Sequence, residues 1–298
     1  MKYFLDTIET IEPGHGFTHF DGYHFLWLGI LVVFAGLMAW QYRKRDAETR
    51  AKWRKRVAVA ILLDEVWKMF WLTVGGTYTL EYLPLHLCSI NIILIAIHAW
   101  KPGKTLDNFL YAICIPGALA AMLFPTWYPL PTLNFMHLHS FTVHILLITY
   151  PVMVTVGGDL KPDWRQLPKS LLFTFCLAVP IYIFNMIFGT NYMFLMYAEA
   201  GNPLLLFEEW FGNHLIGIPV LGAVFISLMY GVLYHIAKSY PGVKGGFMHV
   251  PFVPSQTVNR PTPAPSMCEQ DIARGIEAAI AAIAENETDI VAAEGQTH

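Results

Sequence analysis

Apolar residues occur along this chain in seven long runs, near 22–42, 57–76, 83–100, 107–124, 135–157, 169–189 and 213–237. Each is close to the roughly 20 residues that a helix needs to cross about 30 Å of hydrocarbon. The pattern predicts an all-α polytopic membrane protein, a bundle of seven transmembrane helices over residues 22–241. Residues 1–21 mix aromatic and acidic positions, which fits either a short helix in the membrane interface or a disordered segment. Beyond Gly242 the pattern breaks into a Pro-punctuated linker over 242–265, with Pro251, Pro254, Pro261, Pro263 and Pro265. Ser266 and Glu269 then form a capping-box pair ahead of Ile272, Ile276, Ile280 and Ile283 on one helical stripe. This predicts a short amphipathic helix in a cytoplasmic tail over 266–298, either a site of self-association or a dispensable end.

Composition agrees with the pattern. Hydrophobic residues make up 55% of the 298 positions and charged residues only 14%, and the mean hydropathy is +0.45. That much apolar surface needs lipid as a solvent, so the cell membrane is the expected location. Asp6, Glu9 and Glu12 fall where a cleavable signal peptide would be basic and then apolar, so the first span is expected to direct insertion. The segment from Arg43 to Arg56 holds eight Lys or Arg residues. By the positive-inside rule it lies in the cytoplasm, which puts the N-terminus outside and the C-terminus inside. Lys101, Lys104, Lys161, Arg165, Lys169, Lys238 and Lys244 then all fall on inner segments, whereas the outer connections carry only Glu81, Glu199, Glu208 and Glu209. The basic segment can touch anionic headgroups. No nucleotide-binding glycine loop or serine elbow is present, and no nucleic-acid partner is expected.

Ionisable groups at membrane depth are costly unless paired or functional. In the second span Asp64 and Lys68 stand at i, i+4 and can neutralise each other, with Glu65 beside them; the three either order the bundle or line a polar cavity. The third span opens LPLHLCSIN, with Pro84 marking the helix start. Cys88 and Asn91 share a face there, and His86 points away from it. A cysteine in an apolar helix is most often a small hydrophobe. The fifth span opens FMHLHSFTVH, placing His137, Ser140 and His144 on one stripe at i, i+3, i+7, with His139 between. Both spans enter the bilayer in the same sense, so Cys88 and His144 are expected at similar depth in its outer half. A neighbouring imidazole is a common means of turning a thiol into a nucleophile. Three histidines this close also suit buried hydrogen bonds, a metal or a haem. The spacings match no standard metal site, however, and neither a metal nor a cofactor is assigned.

LPLHLCSIN, the preceding DEVWKMFWLTVGG, HSFTVH, GTNYMFL and NPLLL together resemble the YwaF family of bacterial integral membrane proteins, related to the eukaryotic transmembrane protein 164. The likeness covers about residues 20–237. It implies a seven-helix fold and, from the eukaryotic relative, acyl transfer to ether phospholipids by a cysteine and a histidine. Carried over by motif, these are Cys88 and His144. The resulting expectation is a membrane-embedded acyltransferase working on phospholipids through an acyl-thioester. Asn91 or the Asp64 and Glu65 carboxylates would orient the pair. A lipid hydrolase with the same pair, or a transporter or metal-binding protein using the polar residues and the Pro116 and Pro180 kinks, are the alternatives.

Overall fold

Helices account for all the regular structure of the described residues, which in this computed structural model are 2–239 and the isolated position 273. In chain order they are α1 (Gly22–Arg43), α2 (Ala47–Val74), α3 (Leu87–Trp100), α4 (Lys104–Phe109), α5 (Ile115–Leu123), α6 (Phe135–Val156), α7 (Leu167–Phe188), α8 (Leu204–Phe211) and α9 (Gly217–Ser239). A π turn, Leu110–Cys114, joins α4 to α5 into one rod. Pro116, in the first turn of α5, causes it. Proline has no N–H, and its ring clashes with the carbonyl four residues back, so the ladder widens by one residue there. Residues 2–234 form one compact unit, and residues 235–239 belong to a second one. The predicted linker and tail helix lie outside the described residues.

Six helical stretches are long and apolar enough to cross a membrane: Gly22–Arg43, Leu80–Trp100, Lys104–Leu123, Phe135–Val156, Trp164–Phe188 and His214–Gly231. The remaining expected span, 57–76, is covered by α2 as far as Val74. Its 28 residues suffice in length, about 42 Å at 1.5 Å per residue, but its charged positions lower its apolarity. Much of the basic stretch expected to be a connection is in fact the first part of this helix. Asp46 caps it by accepting from the Thr49 N–H at 2.8 Å, leaving only Lys44–Asp46 as a turn. Helix α1 begins likewise at Asp21, which accepts from the His24 N–H. That bond, with a second from Thr18, holds the Asp21 carboxyl below the ordinary aspartate range.

Helix α6 is the axis of the bundle. Most of its residues are buried, and it packs against α1, α2, α3 and α5. Helix α7 is the opposite case. Only Ser170, Ile181 and Asn185 are buried along it, while Leu172, Phe175 and Ile187 are each more than 60% exposed. An apolar face of that length in water would aggregate, and lipid is the solvent that suits it.

The N-terminal segment forms neither the helix nor the disordered stretch that the sequence suggested. Residues 2–20 run as turns fastened to the connection between α5 and α6. Phe17 N–H donates to Tyr128 O, Phe135 N–H to Phe4 O, and the buried Asn134 side chain donates to the Tyr3 and Asp6 carbonyls. Asn134 also caps α6 through Met136 and His137 N–H, so one side chain fixes both the segment and the start of the central helix.

Candidate active site

Cys88 and His144 come together between α3 and α6. The Sγ of half-buried Cys88 lies 3.2 Å from Nε2 of buried His144. Helix α3 starts later than Pro84 suggests, with His86 at its N-cap, so Cys88 stands in its first turn. Helix α6 delivers His144 two to three turns below its capped start.

The hydrogen bonds of His144 assign its proton. Nδ1 is 2.6 Å from the Ser140 carbonyl oxygen, which can only accept, so Nδ1 carries the hydrogen. Nε2 therefore presents its lone pair to the Cys88 thiol. A backbone carbonyl here does the orienting that a carboxylate does elsewhere. The indole of Trp127 stacks on the imidazole at 5.1 Å and 16°, fixing the ring plane from the other side. Ser140 thus contributes through its carbonyl rather than its hydroxyl. Trp127, in the α5–α6 connection, carries no motif that would have marked it beforehand.

Asn91 lies one turn beyond Cys88 on α3, fully buried, and its Oδ1 has no hydrogen-bond partner. It faces inward as its shared face with Cys88 predicts. It makes no bond to the pair, so its capacity remains open to another molecule.

The carboxylates of α2 do not orient His144. Asp64 accepts from the Thr142 hydroxyl at 3.1 Å and lies 3.3 Å from Nδ1 of His139, and Glu65 lies 3.6 Å from Nε2 of the same ring. The predicted Asp64–Lys68 pair is absent as well. Lys68 bonds Glu65 at 2.5 Å, i to i+3, because Asp64 is turned toward α6. Lys68 nevertheless lies within electrostatic reach of both Cys88 and His86.

The fifth-span histidines diverge rather than converge. His137 meets Tyr23 Oη at 3.2 Å and the Leu130 carbonyl at 3.1 Å, His139 faces the two carboxylates, and His144 faces Cys88. Among the described residues no group of three or more His, Cys, Asp or Glu is placed to hold a metal ion. His86 accepts from Met193 N–H at 3.3 Å and packs against Tyr192 and Phe194.

That contact gives the GTNYMFL stretch its job. Gly189 ends α7 with φ +67°, and buried Asn185 then folds the chain back by accepting from Tyr192 N–H and Thr190 Oγ1 while donating to Tyr192 O. The Tyr192 hydroxyl donates to Leu80 O. Burial pushes this phenol up to about 12. Glu199, nearby in sequence, is raised by burial first and by the Glu81 charge second. The α7–α8 connection is thereby pinned over the start of α3, one turn from the thiol.

Comparison with known proteins separates two parts of the chain. Its last part, residues 222–286, matches the pyroglutamyl peptidase family. A pyrrolidone-carboxylate peptidase of Clostridium botulinum is 54% identical over 69 residues, 23% of this chain and 32% of that protein. One from Lactobacillus johnsonii is 48% identical over 73 residues, 24% of this chain and 34% of that protein. The chain thus spans about a third of the length of these curated relatives. Most of the matched residues lie outside the described ones, where the sequence pattern shows only a Pro-rich linker and a helical stripe. No solved structure matches the chain. The helical bundle that holds Cys88 and His144 falls within residues 18–230, which match the TMEM164 family over well more than half of the sequence, and the chain belongs to that family.

Proposed function

We propose that the bundle is a membrane-embedded lipid acyltransferase that works through an acyl-thioester on Cys88. One observation carries the reading: a thiol 3.2 Å from an imidazole nitrogen whose lone pair is aimed at it, because the other nitrogen is tied to Ser140 O. Family membership supports it. In the first step Cys88 gives its proton to His144 Nε2 and Sγ attacks an acyl ester carbonyl of a phospholipid. The ester C–O bond breaks, and the departing lyso-lipid oxygen takes the proton from His144. In the second step an acceptor hydroxyl gives its proton to His144 and attacks the thioester carbonyl, and the C–S bond breaks. The sulfur takes the proton back. Asn91, buried one turn from the thiol with its Oδ1 unpartnered, can accept from the acceptor hydroxyl.

We further read α2 as the seventh span, with the N-terminus outside, the basic start of α2 in the cytoplasm, and the cell membrane as location. Lipid then reaches the pair from the outer leaflet by lateral diffusion. The assignment concerns residues 18–230 alone; the peptidase-like part supplies about a third of such an enzyme.

The test is intact-mass analysis of the purified protein after incubation with phospholipid, followed by addition of a lyso-lipid. A fatty-acyl mass gain on Cys88, discharged to the lyso-lipid, is expected. Cys88→Ala and His144→Ala should each lower transfer by about 10³-fold or more. Discharge to water alone would make the protein a lipid hydrolase. Absence of an adduct together with full activity in Cys88→Ala would remove the covalent mechanism.

A further inference from the structure

At the other end of α2 and α3 from the thiol, a second polar site is built that the acyl-transfer reading does not use. Its centre is Asp159, just past the end of α6. The carboxylate accepts from the Tyr42 hydroxyl at 2.6 Å, from Arg54 Nη1 at 2.9 Å and from Arg50 Nη1 at 3.3 Å. Gly157 makes this approach possible, since a Cβ there would strike the Tyr42 ring. Two guanidiniums thus answer one carboxylate.

Beside this cluster is a cavity of about 230 Å³, lined by Ala47, Arg54, His98, Pro102, Val154 and Asp159. The volume is far above the roughly 10–15 Å³ that one water requires. Its polar wall is not equally available to a ligand. Both ring nitrogens of His98 are engaged, Nδ1 with Tyr150 Oη and Nε2 with Asp107 Oδ1, each at 2.7 Å. Asp159 is taken by its three donors. Arg54 keeps capacity: Nη1 serves Tyr42 and Asp159, whereas Nη2 makes no bond among the described residues. A free guanidinium N–H is a charged donor suited to a phosphate oxygen. Two of the lining residues, Ala47 and Arg54, belong to the segment with eight basic residues from Arg43 to Arg56. Basic pockets between helices at that face of a membrane protein suit phosphate headgroups.

We propose that this cavity binds a phosphate group, held by the unengaged Nη2 of Arg54, and that the ligand is the headgroup of an anionic phospholipid or a soluble phosphate. The proposal stands whether or not Cys88 forms a thioester.

The full chain in neutral detergent would be titrated separately with phosphatidic acid and with inorganic phosphate, reading the dissociation constant and the thermal midpoint. Binding of phosphatidic acid alone identifies a lipid site; binding of both shows that the phosphate group suffices. Arg54→Gln should weaken binding by about tenfold, roughly the worth of one charged hydrogen-bonding pair. Should that variant fold poorly, Ala47→Leu decides, since it fills the cavity without touching a guanidinium and should weaken binding similarly. Lys44→Gln, in the basic segment but outside the cavity lining, should change it less than about twofold. The proposal is overturned if neither ligand binds the wild-type chain, or if Ala47→Leu binds as tightly as wild type.

Discussion

Single side chains decide which polar groups of this bundle meet. Asn134 shows how much can rest on one. Its amide caps α6 and satisfies the Tyr3 and Asp6 carbonyls. Asn134→Ala removes a cap worth about 1 kcal/mol and strands two carbonyls, for a loss of about 2–4 kcal/mol, measurable as a lower thermal midpoint in detergent. The N-terminal segment should become protease-sensitive with it. His19 supplies a pH dependence. Burial, against the opposing backbone hydrogen bond at Pro125 and with a smaller push from His24, holds its imidazole below the ordinary 6.5, beside Tyr128 at 5.0 Å. The unfolded chain therefore binds a proton that the folded one resists. Stability should be full above 6.5 and decline as the pH falls below it, and His19→Gln should flatten that slope. At this scale the sequence placed Cys88, His144 and the shared face of Asn91. It misassigned the partner of Lys68, because i+3 and i+4 are both within reach on a helix and only the position of α6 draws Asp64 aside.

At the scale of elements, the ion pair inside α2 and its neighbours on α6 are the place where charge is buried in the bundle. Lys68 and Glu65 are nearly buried, with side-chain exposures of 8% and 12%. Lys68→Met would leave a buried carboxylate without its cation and should cost about 3–5 kcal/mol, whereas Lys68→Met with Glu65→Gln should recover most of it. Comparable loss in the single and double variants, in the same denaturation assay, would show that the pair contributes nothing specific. Helix boundaries were legible to within a few residues wherever a cap or a glycine marks them, as at Asp21 and Gly189. The start of α2 was not, because lysines and arginines are good helix formers and nothing in a basic run distinguishes a loop from the first turns of a helix.

For the whole molecule, the topology is a prediction with a direct measurement. A cysteine introduced at Glu48 should react with a membrane-impermeant maleimide only from the cytoplasmic side, and one at Glu199 only from outside. Reaction of both from one side would overturn the seven-span reading. Since the family match ends at residue 230, a chain stopped after Ser239 should retain acyl transfer; loss of transfer in a stably inserted truncation would tie the peptidase-like part to the reaction. By itself the sequence determined that this is a helical membrane protein, located its long apolar helices, and singled out a thiol and an imidazole that meet between two of them. Those properties follow from length, apolarity and the direction of each span, all of which are local. Tertiary structure alone decided that His144 is fixed by the Ser140 carbonyl and Trp127, that His139 serves the α2 carboxylates instead, and that Asp159 gathers two arginines. Such pairings depend on how helices are rotated about their axes, which is set by packing between residues far apart in the chain.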